Sequence, residues 1–156
     1  SGELAIASAG HDPPLLRRAD GRIEPILLES GPALGFDPGG SYEVWRGRLQ
    51  PGDLPFAWTD GVTEAFDRDD RAFGEERLGA ALQVAQDAAD ACDGLLRAVH
   101  GFADGAPQSD DITVFAIDCS LQAPFKRRDQ FLQLIFFWCA IEAADSHVDR
   151  MNGAAT

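Results

Sequence analysis

Over its first sixty residues the chain breaks into short apolar runs separated by Gly, Pro and Asp, the punctuation of strands joined by tight turns. Residues 4–9 (LAIASA) predict a short buried strand, stopped by His11-Asp12-Pro13-Pro14. Leu15–Arg18 and Arg22–Leu28 flank Ala19-Asp20-Gly21, and Asp-Gly between apolar-rich runs is a hairpin signal. Ser30–Gly40 predicts a Gly- and Pro-rich loop. Tyr42–Leu49 alternates with one irregularity and predicts a bulged strand. After the turn Pro51-Gly52-Asp53, Leu54–Thr59 predicts a strand ending at Asp60-Gly61. The period then changes. Leu78, Leu82 and Ala85 predict a helix over Phe73–Ala89, and Leu95, Leu96, Val99 and Phe102 a second over Asp93–Phe102. A loop over Gly105–Ser109 leads to an uninterrupted apolar strand, Ile112–Ile117. Strands, then two helices, then a strand predict an α+β fold built on antiparallel hairpins.

Beyond Cys119 the composition shifts. The whole chain has 156 residues and a net charge of -13, whereas residues 119–156 contain four basic and four acidic side chains. The acidity therefore lies entirely before residue 119. Phe131–Ile141 (FLQLIFFWCAI) is intensely apolar but spans 11 residues, and a bilayer crossing needs about 20. No membrane span is expected. A buried apolar helix over Arg127–Val148 is predicted, packed on its own domain, on a missing segment, or on a second copy as a homo-oligomer. The expected division is a first unit over 1–118 and an atypical helical tail over 119–156.

The acidic excess argues against nucleic acid as a partner and suits a protein that gathers divalent cations at carboxylates. Cys92, Cys119 and Cys139 are odd in number and form no CxxC. They predict packed thiols in a reducing, cytoplasmic setting rather than disulfides. The chain opens Ser-Gly-Glu-Leu, with no secretory leader and no initiating Met, and the natural protein is expected to begin upstream.

Two places put aspartates where chemistry could use them. In Thr59-Asp60-Gly61-Val62-Thr63-Glu64 a strand runs straight into an Asp fixed on a rigid element, followed by a Gly that admits close approach. In Ser109-Asp110-Asp111-Ile112-Thr113 the aspartates stand at a strand entrance. If both strands share one sheet, Asp60 and Asp110 face each other at one rim, where a hard divalent cation such as Mg²⁺ or Mn²⁺ would relieve their repulsion. Taken separately, Asp-Gly also reads as a turn and Ser-Asp-Asp as a capped loop.

Other features carry less. Asp67-Arg68-Asp69-Asp70 lacks the Gly and Glu of a calcium loop, with Ala72 and Leu78 in those places, and predicts a solvated loop. Gly39-Gly40 has no following Lys and is no phosphate loop. No nucleophile motif is present, and Trp45, Trp58 and Trp138 read as core or interface aromatics.

The order of motifs is more specific than any one of them. Ala9-Gly10-His11-x-Pro13-Pro14, Gly35 after Gly-Pro-Ala-Leu, Leu49-x-Pro51-Gly52-Asp53, Thr59-Asp60-Gly61-Val62-Thr63-Glu64, Phe73-Gly74-Glu75-Glu76-Arg77-Leu78 and Asp110-Asp111-Ile112-Thr113 follow in register. Over roughly residues 3–118 the string resembles the SpoIIE-like branch of the PPM (PP2C-type) metal-dependent protein phosphatases, C-terminal half only. The resemblance implies an antiparallel β-sandwich flanked by helices, with two Mn²⁺ or Mg²⁺ ions held at the sheet rim. It implies Asp60 and Asp110 as metal ligands, Gly61 and Asp111 beside the site, and His11 as a structural or proton-transfer residue. It also implies hydrolysis of phosphoserine or phosphothreonine by metal-activated water, with a STAS-type anti-sigma-factor antagonist as the substrate protein. The family's further metal aspartates lie in an N-terminal half that nothing before Glu3 supplies. Two readings follow: a signalling phosphatase completed by an upstream segment, or a catalytically inactive fragment or pseudophosphatase used for binding or oligomerisation.

Overall fold

The computed structural model of the chain describes residues 2–37 and 39–119. The predicted helix over 127–148, and the self-association assigned to it, lie outside the described residues.

Among the described residues, six strands and three helices follow in the order β1 (Glu3–Ile6), β2 (Leu15–Arg17), β3 (Ile23–Pro25), β4 (Trp45–Arg48), β5 (Leu54–Trp58), α1 (Asp60–Thr63), α2 (Gly74–Val84), α3 (Ala88–Ala103) and β6 (Val114–Ala116). All pairings between these strands are antiparallel. One sheet is β1-β4 and the other runs β3-β2-β5-β6, so the α+β expectation holds.

β5 is the central plank. Leu54, Phe56 and Trp58 on one face pack with Leu78 and Leu82 of α2 and with Ala91, Leu95 and Val99 of α3. On the opposite face of the same sheet, Leu16 joins Leu4 and Ile6 of β1, Ile26 and Leu49 in a second apolar cluster. Alternation along β2 separates the two: Leu15 faces the helices and Leu16 the other sheet. The layers are thus sheet, sheet and helices, and a strand covered on both faces reads as the unbroken apolar run seen in the sequence.

The predicted hairpin forms. Arg18 N donates to Arg22 O at 2.7 Å and Gly21 N to Arg18 O at 2.9 Å, and the Asp20 carboxylate accepts from Arg22 N and Nε. The predicted strand over Tyr42–Leu49 contracts to Trp45–Arg48. Trp45 folds its ring over Gly47, where a Cβ would stand 2.0 Å from the indole. A glycine that lies under its own strand neighbour's aromatic ring accounts for the irregular alternation.

The helical region is divided differently from its periodicity. α2 stops at Val84 and Ala85 is extended (ψ 140). Arg17 of β2 supplies the reason: its guanidinium donates to Leu82 O at 3.2 Å and to Ala85 O, meeting the orphan carbonyls of the helix end. α3 then starts five residues before the predicted Asp93. Asp87 accepts from Asp90 N at 2.8 Å, and Asp90 accepts from Gln86 N at 3.0 Å, a reciprocal cap. The short helix α1 was not anticipated.

Two carboxylates act as fasteners. Asp53, 2% exposed, accepts from Ala19 N, Gln50 N and the Arg18 guanidinium at 2.9–3.1 Å, binding the hairpin to the turn before β5. Asp67, expected in a solvated loop, is buried instead. It accepts from the Asp69 and Arg71 amides and from Arg71 Nε at 2.8–3.0 Å, and its charge therefore belongs to the fold of the loop. The Arg71 backbone amide, opposed in part by desolvation and reinforced by the Asp69 amide and the Arg71 guanidinium, holds the Asp67 carboxyl below its ordinary value of 3.8.

Two outcomes are expected. Asp53→Ala leaves two amides and a guanidinium without their acceptor and should lower unfolding free energy by about 3 kcal/mol, read by urea denaturation. For Asp67 the folded pKa lies below the unfolded one. Its contribution is therefore complete above the unfolded value and lost as pH falls through the depressed folded value. The stability gap between the wild-type protein and Asp67→Asn should be present at pH 7 and close below about pH 3.8, as followed by denaturation at stepped pH.

Candidate metal-ligand rim

The pairing of β5 with β6 determines where the aspartates stand. Phe56↔Ala116, Ala57↔Phe115 and Trp58↔Val114 are in register, so the end of β5 lies beside the beginning of β6. Asp60 follows the one and Asp110–Asp111 precede the other, on the same rim of the sheet.

At this rim the ladder changes partners. Thr59 N donates to Thr113 O at 3.0 Å, as the antiparallel register requires. The reciprocal bond is made differently: Thr113 N donates to Thr59 Oγ1 at 2.8 Å. The Thr59 carbonyl instead accepts from Val62 N at 3.0 Å and opens α1. The hydroxyl thus stands in for the carbonyl while the chain turns from strand to helix. The same Oγ1 donates to Asp111 O at 2.8 Å. Consistently, Thr59 makes no cap to its own helix, although Thr is a common capping residue.

Gly61 completes the approach. An added Cβ would lie 2.6 Å from Asp111 O and 3.1 Å from Asp110 O, so only glycine lets the two segments come this close. Three residues on, Ser109 Oγ donates to Glu64 O at 2.8 Å, tying the residue before Asp110 to the end of α1. Thr59 and Ser109 were not singled out from the sequence, since a hydroxyl next to an acidic motif carries no distinguishing pattern there.

The carboxylates themselves are lightly engaged. Asp60 Oδ1 accepts from Gly61 N at 3.0 Å and Asp110 Oδ1 from Asp111 N at 2.6 Å. Among the described residues neither is paired with Lys, Arg or His. Each leaves its second oxygen available at an exposed rim. Two hard oxygen donors without a counter-ion fit part of the coordination shell of Mg²⁺ or Mn²⁺, which keeps several waters. Among the described residues no three His, Cys, Asp or Glu side chains converge on one point, so the fit is to a shared site and not to a closed cage. Asp111 presents its backbone carbonyl to Thr59. His11 lines an apolar seam with Ile6, Ala57, Trp58, Phe115 and Ile117; Asp60 and Asp110 are not among the residues that line it.

The remaining motif residues are structural. Phe73 is buried and meets Phe102 edge-on at 5.5 Å. Arg77 sits 4.5 Å over the Phe102 ring and donates to Phe73 O at 2.8 Å. Burial raises the Cys119 thiol to about 11, with Asp53 and Asp118 adding to the shift, and burial also raises that of Cys92; both thiols stay protonated at neutral pH.

A family model for Stage II sporulation protein E (SpoIIE) matches residues 1–120. The chain belongs to the SpoIIE family. Protein IcfG of Synechocystis sp. is 32% identical over 118 residues, which span 75% of this chain and 18% of that protein. Among solved structures, the SiaA-PP2C domain of Pseudomonas aeruginosa superposes with a TM-score of 0.57 at 22% identity, over 73% of this chain and 45% of that one. The phosphatase domain of SpoIIE from Bacillus subtilis, presoaked with Mn, gives 0.53 at 18%, over 74% and 50%. The RsbU and RsbW domains of Rv1364c from Mycobacterium tuberculosis give 0.51 at 28%, over 74% and 32%. This SpoIIE-family chain therefore has the fold of part of a PP2C-type phosphatase domain, and it spans half or less of these relatives' lengths. No helix among the described residues is long and apolar enough to cross a membrane.

The close approach at Gly61 is testable. Gly61→Ala should cost about 2 kcal/mol, because the new methyl meets backbone that has no rotamer to give way. Gly79→Ala, in α2 with nothing within 4 Å of the added Cβ, should leave stability unchanged or raise it by about 0.5–1 kcal/mol. Urea unfolding of the two variants side by side distinguishes the contact from a general glycine effect.

Proposed function

We propose that residues 1–118 supply the Asp60/Asp110 half of the metal site of a serine/threonine protein phosphatase, completed by an upstream segment of the same domain. The observation that carries the reading is the adjacency of the two aspartate segments on one rim, with Gly61 against the Asp110 and Asp111 carbonyls and both carboxylates free of basic partners among the described residues. SpoIIE-family membership supports it.

Asp60 and Asp110 would hold the divalent cations, Mn²⁺ or Mg²⁺. When bound, such ions polarise phosphoryl oxygens and lower the pKa of water at the site. The chain's own part is positional. β5 fixes the base of Asp60, Gly61 clears the space beside it, and the backbone of Asp110–Asp111 is pinned against α1. His11, at the seam, takes a structural role. The substrate assigned is a phosphorylated Ser or Thr on a small cytoplasmic partner of the STAS-type anti-sigma-factor antagonist class, and the likeness to the RsbU and RsbW domains supports that choice.

In the full-length protein, Asp60→Ala and Asp110→Ala should each reduce Mn²⁺-dependent release of phosphate from a phosphoserine protein by more than about a hundredfold. Full activity in either variant would overturn the assignment. A wild-type protein that neither binds Mn²⁺ nor releases phosphate would instead support the binding-module reading.

A further inference from the structure

We propose that the Thr59 hydroxyl is a positioning group for metal binding: it sets the separation of Asp60 and Asp110, and with it the affinity for the divalent ion. The inference rests on the reading of those two aspartates as ligands. Its warrant is the substitution of one hydrogen bond at the end of the β5–β6 ladder. Thr59 Oγ1 accepts from Thr113 N at 2.8 Å and donates to Asp111 O at 2.8 Å, while the carbonyl that would ordinarily take the Thr113 amide accepts from Val62 N.

One oxygen therefore holds three things in place. It keeps β6 in register up to residue 113, it fixes the reversed backbone at residue 111, and it frees the carbonyl that begins α1 at Asp60. Asp60 and Asp110 each lie one residue from an atom in this arrangement. A side chain without the hydroxyl removes the protein partner of both the Thr113 amide and the Asp111 carbonyl. The carbonyl of residue 59 then becomes the competing acceptor for Thr113 N, and using it there removes the first bond of α1. Either adjustment moves one carboxylate relative to the other. Ser109, the residue before Asp110, is tied separately to Glu64 O at 2.8 Å; that bond does not involve the Thr59 hydroxyl and stays in place in every Thr59 variant.

Valine matches threonine in shape and β-branching and removes only the hydroxyl's hydrogen bonding. Calorimetric titration of the full-length protein with Mn²⁺ alone, well below its melting temperature, should show Thr59→Val binding about tenfold to a hundredfold more weakly than wild type. Thr59→Ser, which retains the oxygen, should bind within about twofold of wild type, a recovery that loss of packing would not give. In ¹H–¹⁵N spectra of the metal-free proteins, the Thr113 amide should exchange faster in the valine variant and not in the serine variant. If Thr59→Val does not fold, Thr59→Ala decides on the same readouts, and failure of both to fold would make the hydroxyl a folding group and overturn the proposal. Asp60→Asn separates the two levels of inference. If it binds Mn²⁺ as wild type does, the ligand assignment falls and the positioning role with it. If it loses binding while a folded Thr59→Val does not, only the positioning role falls.

Discussion

The antiparallel register between β5 and β6 is the constraint from which the rest of the molecule follows. It places a strand end and a strand beginning side by side, and whatever residues occupy those two positions must meet. Here they are acidic on both sides, and the glycine at position 61 narrows the gap until backbone touches backbone. Among the described residues neither carboxylate has a basic partner. Both stand at the exposed rim, where solvent reaches them. The buried acids Asp53 and Asp67 are each supplied with amide and guanidinium donors.

Rigidity behind the rim comes from layers on both sides of β5. Helices α2 and α3 cover one face and β1 approaches the other. Arg17 links these layers directly, since it leaves the hairpin strand to satisfy the end of α2. The string Phe73 to Leu78 contributes in the same way. Its Arg77 spans the Phe102 ring and a helix-entry carbonyl, so that motif fastens the helix pair and does not reach the rim.

Much of this was legible in the chain. The alternation and the Asp-Gly turn located the hairpin, and the unbroken apolar run located β5. Strand-then-Asp-Gly and Asp-Asp-then-strand point to one shared rim. What was not legible depended on contacts distant in sequence. The stop of α2 at Val84 is enforced by Arg17, from another element. The start of α3 was written locally, in Asp87 and Asp90, but helical periodicity across the break masked it. The helix at Asp60–Thr63 is too short to show a period at all. Thr59 looked like one more β-branched strand residue, because its second role as a surrogate carbonyl exists only when residue 113 is alongside.

That pairing joins residues 54 positions apart, with three helices intervening. During synthesis β5 therefore emerges long before the strand that will lie against it. At ordinary translation speeds the delay is roughly 3–10 s, and through that interval the most apolar strand of the sheet has one edge open to any other extended chain. The nascent protein is thus most exposed to mispairing in the stretch of time between the appearance of its first aspartate motif and its second.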